Sequence, residues 1–141
     1  MDVFLMVGGI LMCMIVLVVL YSKRRLGQLL AMRALPPVMT AAGANFFGQT
    51  SSGLAQVRGN GILILDHEQL FFEMLLPRRA LYIRLEDIIE VDVVHKHMGK
   101  SAGRPLMRIT FMLNGQADSC AWYVKHMYDW IGAIKKQMKT C

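Results

Sequence analysis

The stretch "LMRITFMLNGQADSCAWYVKHMYDWIGAIKKQMK", residues 106–139, decides the fold. Its first eight residues put Met107, Ile109, Phe111 and Leu113 on one side of an extended chain, the period-two pattern of a half-buried strand. "NGQ", 114–116, is a turn signal, and "DSCAWYV", 118–124, predicts the returning strand. The period then changes. Met127, Trp130, Ile131, Ile134 and Met138 recur at spacings of three and four, which predicts one apolar stripe on a helix over 126–139. Lys135, Lys136 and Lys139 fall toward the C-terminal end of that helix, where cations suit its dipole. A bent sheet leaves open ends that must be closed against water. A single amphipathic helix can close one, with Trp130, Ile131 and Ile134 as the plug.

Working backward, short apolar runs alternate with breakers. "LAQVR" (54–58), "ILIL" (62–65), "LFFEML" (70–75), "LYIRL" (81–85) and "EVDVVHKH" (90–97) read as strands. "GNG" at 59–61, "DHEQ" at 66–69, Pro77 and "MGKSAGR" at 98–104 separate them. The expected class is therefore mainly β, about seven strands and a capping helix, with no internal repeat. "VMTAAGANFFGQTSSG", 38–53, is rich in small residues and reads as a linker in which only "NFFGQ" is strand-like.

The N-terminus has a different character. "VFLMVGGILMCMIVLVVLY", Val3 to Tyr21, is uncharged, and as a helix it would span roughly 28 Å, about one bilayer core. Lys23, Arg24 and Arg25 follow at once, with Tyr21 at interface depth. A cleaved leader would carry an early basic region and a shorter apolar core, so the segment reads as a retained anchor. The positive-inside rule places the N-terminus outside and the rest in the cytoplasm of an inner-membrane protein. Residues 22–35 continue the helix until Pro36-Pro37. The resulting organisation is an anchor over 1–22, a juxtamembrane helix and linker over 23–53, and a β domain over 54–141.

Net charge is +6, and all 16 Lys and Arg follow the apolar run. Part of that charge sets topology; the rest favours anionic lipid headgroups. No aromatic–basic motif points to nucleic acid. Cys13, Cys120 and Cys141 form no paired or metal-ligand spacing, which suits a reducing compartment.

The segments "GNGILILDHEQLFFEML", "ALYIRLEDIIEVDV", "LMRITFMLNGQADSCAWYV" and "YDWIGAIKK" together resemble the pleckstrin-homology-like superfold, closest to its GRAM and small bacterial membrane-associated branches. Ile83, Leu85, Ile88 and Val91 match an "I-x-L-x-D-I-x-x-V" segment, and Trp130 stands at the family's helix position. The resemblance covers roughly residues 54–138 and implies a seven-strand bent sheet or barrel closed by a C-terminal helix. "LAQVRGNGILIL" carries Arg58 as its only base and departs from the family's phosphoinositide-binding motif, so that activity is not implied.

No nucleophile elbow, P-loop, dinucleotide fingerprint or zinc-protease motif occurs. Glu86, Asp87, Glu90 and Asp92 could pair for acid–base work but fit a solvated strand edge better. His95 and His97 lie on one side of the expected strand, two ligands where a stable metal site wants three or four. Neither a cofactor nor a metal is expected. Lys96, Lys100 and Arg104 surround a glycine-containing loop that could hold a phosphate or headgroup, and Arg78 and Arg79 sit on a second loop. "LFFEMLL", 70–76, is apolar on both faces except Glu73, which places Phe71 and Leu75 under the linker, against a protein partner or at the bilayer surface. The expected function is a non-catalytic, membrane-tethered adaptor for another membrane or membrane-proximal protein, assisted by anionic lipid. The alternatives are a headgroup sensor working through residues 95–104, and a small membrane enzyme or accessory subunit.

Overall fold

The structure is a computed structural model and describes residues 2–140; Cys141 lies outside the described residues. The chain divides into two compact units, Met1–Ala34 and Leu35–Cys141.

The first unit is one helix, α1, Asp2–Ala31. It is long and apolar enough to cross a membrane. At 1.5 Å per residue it runs about 45 Å, so Lys23–Ala31 extend it beyond the apolar run. Ser22 Oγ donates to Val18 O at 2.8 Å, which satisfies a hydroxyl inside the helix. The helix stops before Pro36-Pro37: Arg33 N–H bonds Leu30 O at 3.1 Å, and Arg33 Nη1 donates to Leu29 O at 2.7 Å. A cation on the last carbonyls suits the negative end of the helix dipole.

The second unit is a seven-stranded antiparallel sheet followed by a helix. Its strands are β1 (Met39–Gln49), β2 (Gly59–Leu65), β3 (Gln69–Met74), β4 (Arg79–Arg84), β5 (Ile88–Val94), β6 (Leu106–Leu113) and β7 (Gln116–Tyr123), in the order β4-β3-β2-β1-β7-β6-β5. The closing helix, α2, is Met127–Thr140. Asn114 and Gly115, with φ of 51° and 79°, make the tight turn that joins β6 to β7.

Four expectations change. The segment 38–53 is no linker, because β1 occupies its middle and sits at the centre of the sheet between β2 and β7. The β unit accordingly begins at Leu35 rather than 54. "LAQVR" is not a strand but part of the connection from β1 to β2, and "GNG" is the first part of β2. "HKH" lies past the end of β5.

The small residues of β1 coincide with its irregularities. Its register shifts between Ala41 and Ala44 and again between Phe46 and Gly48, and such bulges bend a strand. Bending lets all seven strands and α2 contribute to one core cluster. At its centre the Phe46, Phe72 and Trp122 rings lie 5.2–5.7 Å apart. Gly61 lies beneath Phe72: a Cβ there would fall 2.5 Å from the ring and 2.3 Å from Glu73 O. Trp130 is 2% exposed in the same cluster, with Ile131 and Ile134 also buried, and α2 packs on β5 and β6. β2 and β3 are buried on both faces: Ile62, Ile64 and Phe71 lie inside, and Phe71 stacks 5.0 Å from Tyr82. The segment expected to cover Phe71 and Leu75 is instead β1.

Replacing Gly61 by Ala overpacks the core and should cost about 1–3 kcal/mol, while Trp130→Ala should cost about 3–5 kcal/mol. Chemical unfolding of each variant, followed by far-UV circular dichroism, checks both values against the parent chain.

Candidate functional site

Antiparallel pairing sends the β1–β2 connection (50–58) and the β3–β4 turn (75–78) out of the same end of the sheet, since Gly61 pairs with both Ala44 and Met74. The start of β7 joins them there: Ser51 bonds Asp118, Thr50 bonds Ser119 Oγ at 2.6 Å, and Arg79 Nη2 donates to Ser52 Oγ at 3.3 Å. These segments form a rim. Its apolar side chains face water. Leu54 is 74% exposed, Leu76 88% and Val57 52%, and Met112 and Leu113 are exposed just before the β6–β7 turn. Arg78 and Arg79 flank Leu76.

Under the rim lies a buried polar network. Asp118 accepts from Gln49 Nε2 (2.7 Å), Ser51 N–H (2.9 Å), Ser51 Oγ (2.6 Å) and Ser119 N–H (2.9 Å). Gln56 accepts from Gln49 N–H at 2.7 Å and donates to Gln49 O at 2.7 Å and Gly53 O at 2.6 Å. Arg58 Nε donates to Phe47 O at 2.9 Å, and its Nη1 donates to Leu54 O at 3.2 Å. The connection is thus tied to β1 and β7 by side chains. Burial pushes the Asp118 carboxyl up, and the hydrogen bonds from Ser51, Gln49 and Ser119 outweigh it, leaving the pKa below its ordinary value.

The two expected basic loops border the β1–β2 connection from different sides. Arg78 and Arg79 are at the rim. Lys96, Lys100 and Arg104 lie on the β5–β6 connection, which folds back across β1: His97 Nε2–H donates to Gly48 O at 3.0 Å, and Gln56 Nε2 lies 3.6 Å from Met98 Sδ. Lys100 and Ser101 share a shallow cleft of about 210 Å³ with Asn45, Phe47, Arg58 and Gly59. Arg104 is engaged elsewhere, donating to Tyr123 Oη at 2.6 Å with its guanidinium 5.2 Å from the ring centre. Lys96 is exposed. The five bases therefore do not converge on one pocket. His97 is buried while His95 is exposed, and the described residues hold no group of three or more metal-ligating side chains.

The acidic run is partly spoken for. Asp92 forms a two-pronged ion pair with Arg108, whose hydrogen bonds to it hold the guanidinium above its usual pKa, and Glu86 pairs with Arg84. At the far end of the unit, a recess of about 570 Å³ is lined by His67, Glu68, Arg84, Glu86, Gln137 and Thr140. Burial raises the Cys120 thiol pKa well above its usual value, which keeps it protonated and unreactive.

Sequence reasoning missed Gln49, Ser51 and Gln56 because they fell in the supposed linker or in the "LAQVR" strand. Their one signal was Asp118, an acid opening an otherwise apolar strand.

Burial, the largest effect on His97, lowers its pKa; nearby Arg108 and Arg58 lower it further, and the bond to Gly48 only partly opposes them. A folded pKa below the unfolded one means the unfolded chain takes up protons first. The neutral ring's contribution is then complete above about pH 6.5 and declines as pH falls toward the folded value. Asp118 contributes above its unfolded pKa of about 3.9, and that share is lost as pH falls through its lower folded value. Unfolding followed by fluorescence of Trp122 and Trp130 should show stability falling between pH 7 and 5. His97→Gln, which can still donate to Gly48 O, should flatten that slope.

No protein-family model matches the chain, and no curated protein matches it.

Proposed function

We propose that the chain is a membrane-anchored, non-catalytic adaptor whose β unit is a pleckstrin-homology-like domain facing the cytoplasm. The strand order β4-β3-β2-β1-β7-β6-β5, with a helix after β7 that buries Trp130, supports that fold. α1 and the Lys23–Arg25 cluster support the anchor and its orientation.

The carrying observation is the rim: Leu54, Val57 and Leu76 expose apolar side chains at the one end of the sheet where Arg78 and Arg79 also lie. Exposed apolar side chains next to arginines suit a protein surface as occupant. An anchored domain gains effective concentration toward other membrane proteins, and the basic loops let anionic lipid assist.

The headgroup-sensor reading keeps one support, the cleft that Lys100 and Ser101 share with Arg58. It predicts salt-sensitive flotation of the full chain's β unit on anionic liposomes that is lost on Lys100→Ala plus Arg104→Ala.

A photo-crosslinking residue at position 76 of the full chain, in native membranes, tests the adaptor. It should give a protein adduct that disappears in the Leu54→Asp plus Val57→Asp background. The same probe at Tyr128, exposed on α2, should not form that adduct. Lipid adducts alone at position 76, or identical adducts from both positions, would remove the proposal.

A further inference from the structure

The sheet has two terminal strands, β4 and β5, and α2 packs against β5. β4 pairs with β3 along one edge, and no strand pairs with its other edge among the described residues. Four of its six residues are exposed: Arg79, Ala80, Tyr82 and Arg84. It contains no proline, and its register with β3 runs unbroken from Met74↔Arg79 to Gln69↔Arg84, so no bulge turns the edge away. Two common means of blunting an edge strand are therefore missing, and charge is the one left.

That charge is selective. Arg79 and Arg84 stand at the two ends of β4. A basic side chain set against either arginine is unfavourable, because like charges directly opposite repel. The edge thus disfavours basic strands and attracts an acidic one. Side chains alternate along a strand, so Arg79 projects with Leu81 and Ile83, while Ala80, Tyr82 and Arg84 project to the other face. Carboxylates five residues apart in a facing strand lie roughly 17 Å apart and also project to opposite faces. The exposed Tyr82 ring offers a surface for the residue between them. Arg84 is paired with Glu86, but both side chains are more than half exposed, and such a surface pair exchanges partners at little cost.

We propose that the outer edge of β4 takes up an extended acidic polypeptide segment as an additional strand. Its backbone completes the ladder, and two carboxylates five residues apart meet Arg79 and Arg84. The proposal rests on the backbone of β4 and stands whether or not the rim binds a protein.

The test uses the full chain in phosphatidylcholine nanodiscs and a labelled eight-residue Thr/Val peptide with Glu at its second and seventh positions. Binding by fluorescence anisotropy should weaken with salt and exceed that of the matching Lys peptide about tenfold, a ratio set by two surface charge pairs. N-methylation of one alternating set of peptide nitrogens should abolish binding, and methylation of the other set should not. Amide exchange should slow in β4. Arg79→Glu plus Arg84→Glu should invert the preference between the two peptides, with tryptophan fluorescence checking that the variant is folded. The peptide comparisons use the unaltered chain and decide the matter even if that variant fails to fold. Equal affinity for the acidic and Lys peptides, indifference to both methylation patterns, or protection outside β4 would overturn the proposal.

Discussion

The second unit depends on bending one sheet far enough to share a single core. Seven strands laid flat would leave one apolar face uncovered, and α2 is too short to cover it all. The bend uses register shifts, two in β1 and a third in β5, and the Phe46, Phe72 and Trp122 rings meet in the core it encloses. Gly61 extends the same logic into β2, because only a residue without a side chain leaves room for the Phe72 ring. Trp130 then belongs to a core already gathered by the strands, alongside Met127, Ile131 and Ile134.

This division explains what the sequence could show. β6 and α2 were legible because their apolar residues recur at a strand or helix period, and β7 because an apolar run follows the turn at 114–116. β3 and β4 were legible from apolar runs between breakers. β1 was not. Its Ala, Gly and Thr residues look like a flexible connector, yet β2 and β7 pair with it on either side and hold it extended. Propensity reads the residue's own preference, whereas here the packing partner decided. "LAQVR" failed in the opposite sense. It resembles a strand, but Gln56 and Arg58 spend their side chains on the backbone of their own connection.

The candidate site was partly legible for a similar reason. Arginines and lysines announce themselves, and Arg78 and Arg79 do lie at the rim. Their setting was hidden. Nothing local in the sequence separates the engaged Arg104, held on Tyr123, from the exposed Lys96. Nor does it reveal that His97 is buried under Gly48 while His95 is exposed. The apolar rim was missed because Leu54 and Val57 were counted as strand residues and Leu76 as the end of a buried run. Each is ordinary alone, and only the topology puts them together.

The carboxylate of Asp118 has a consequence beyond its own neighbourhood. Surface connections usually wander, and a partner that grips one must first quench that wandering, at roughly 1–2 kcal/mol for every backbone residue it fixes. Here Ser51, Gln49, Gln56 and Arg58 have already settled the path of the connection that presents Leu54 and Val57. A visitor to this rim would meet a preshaped surface, and most of what it gained by contact would survive as affinity.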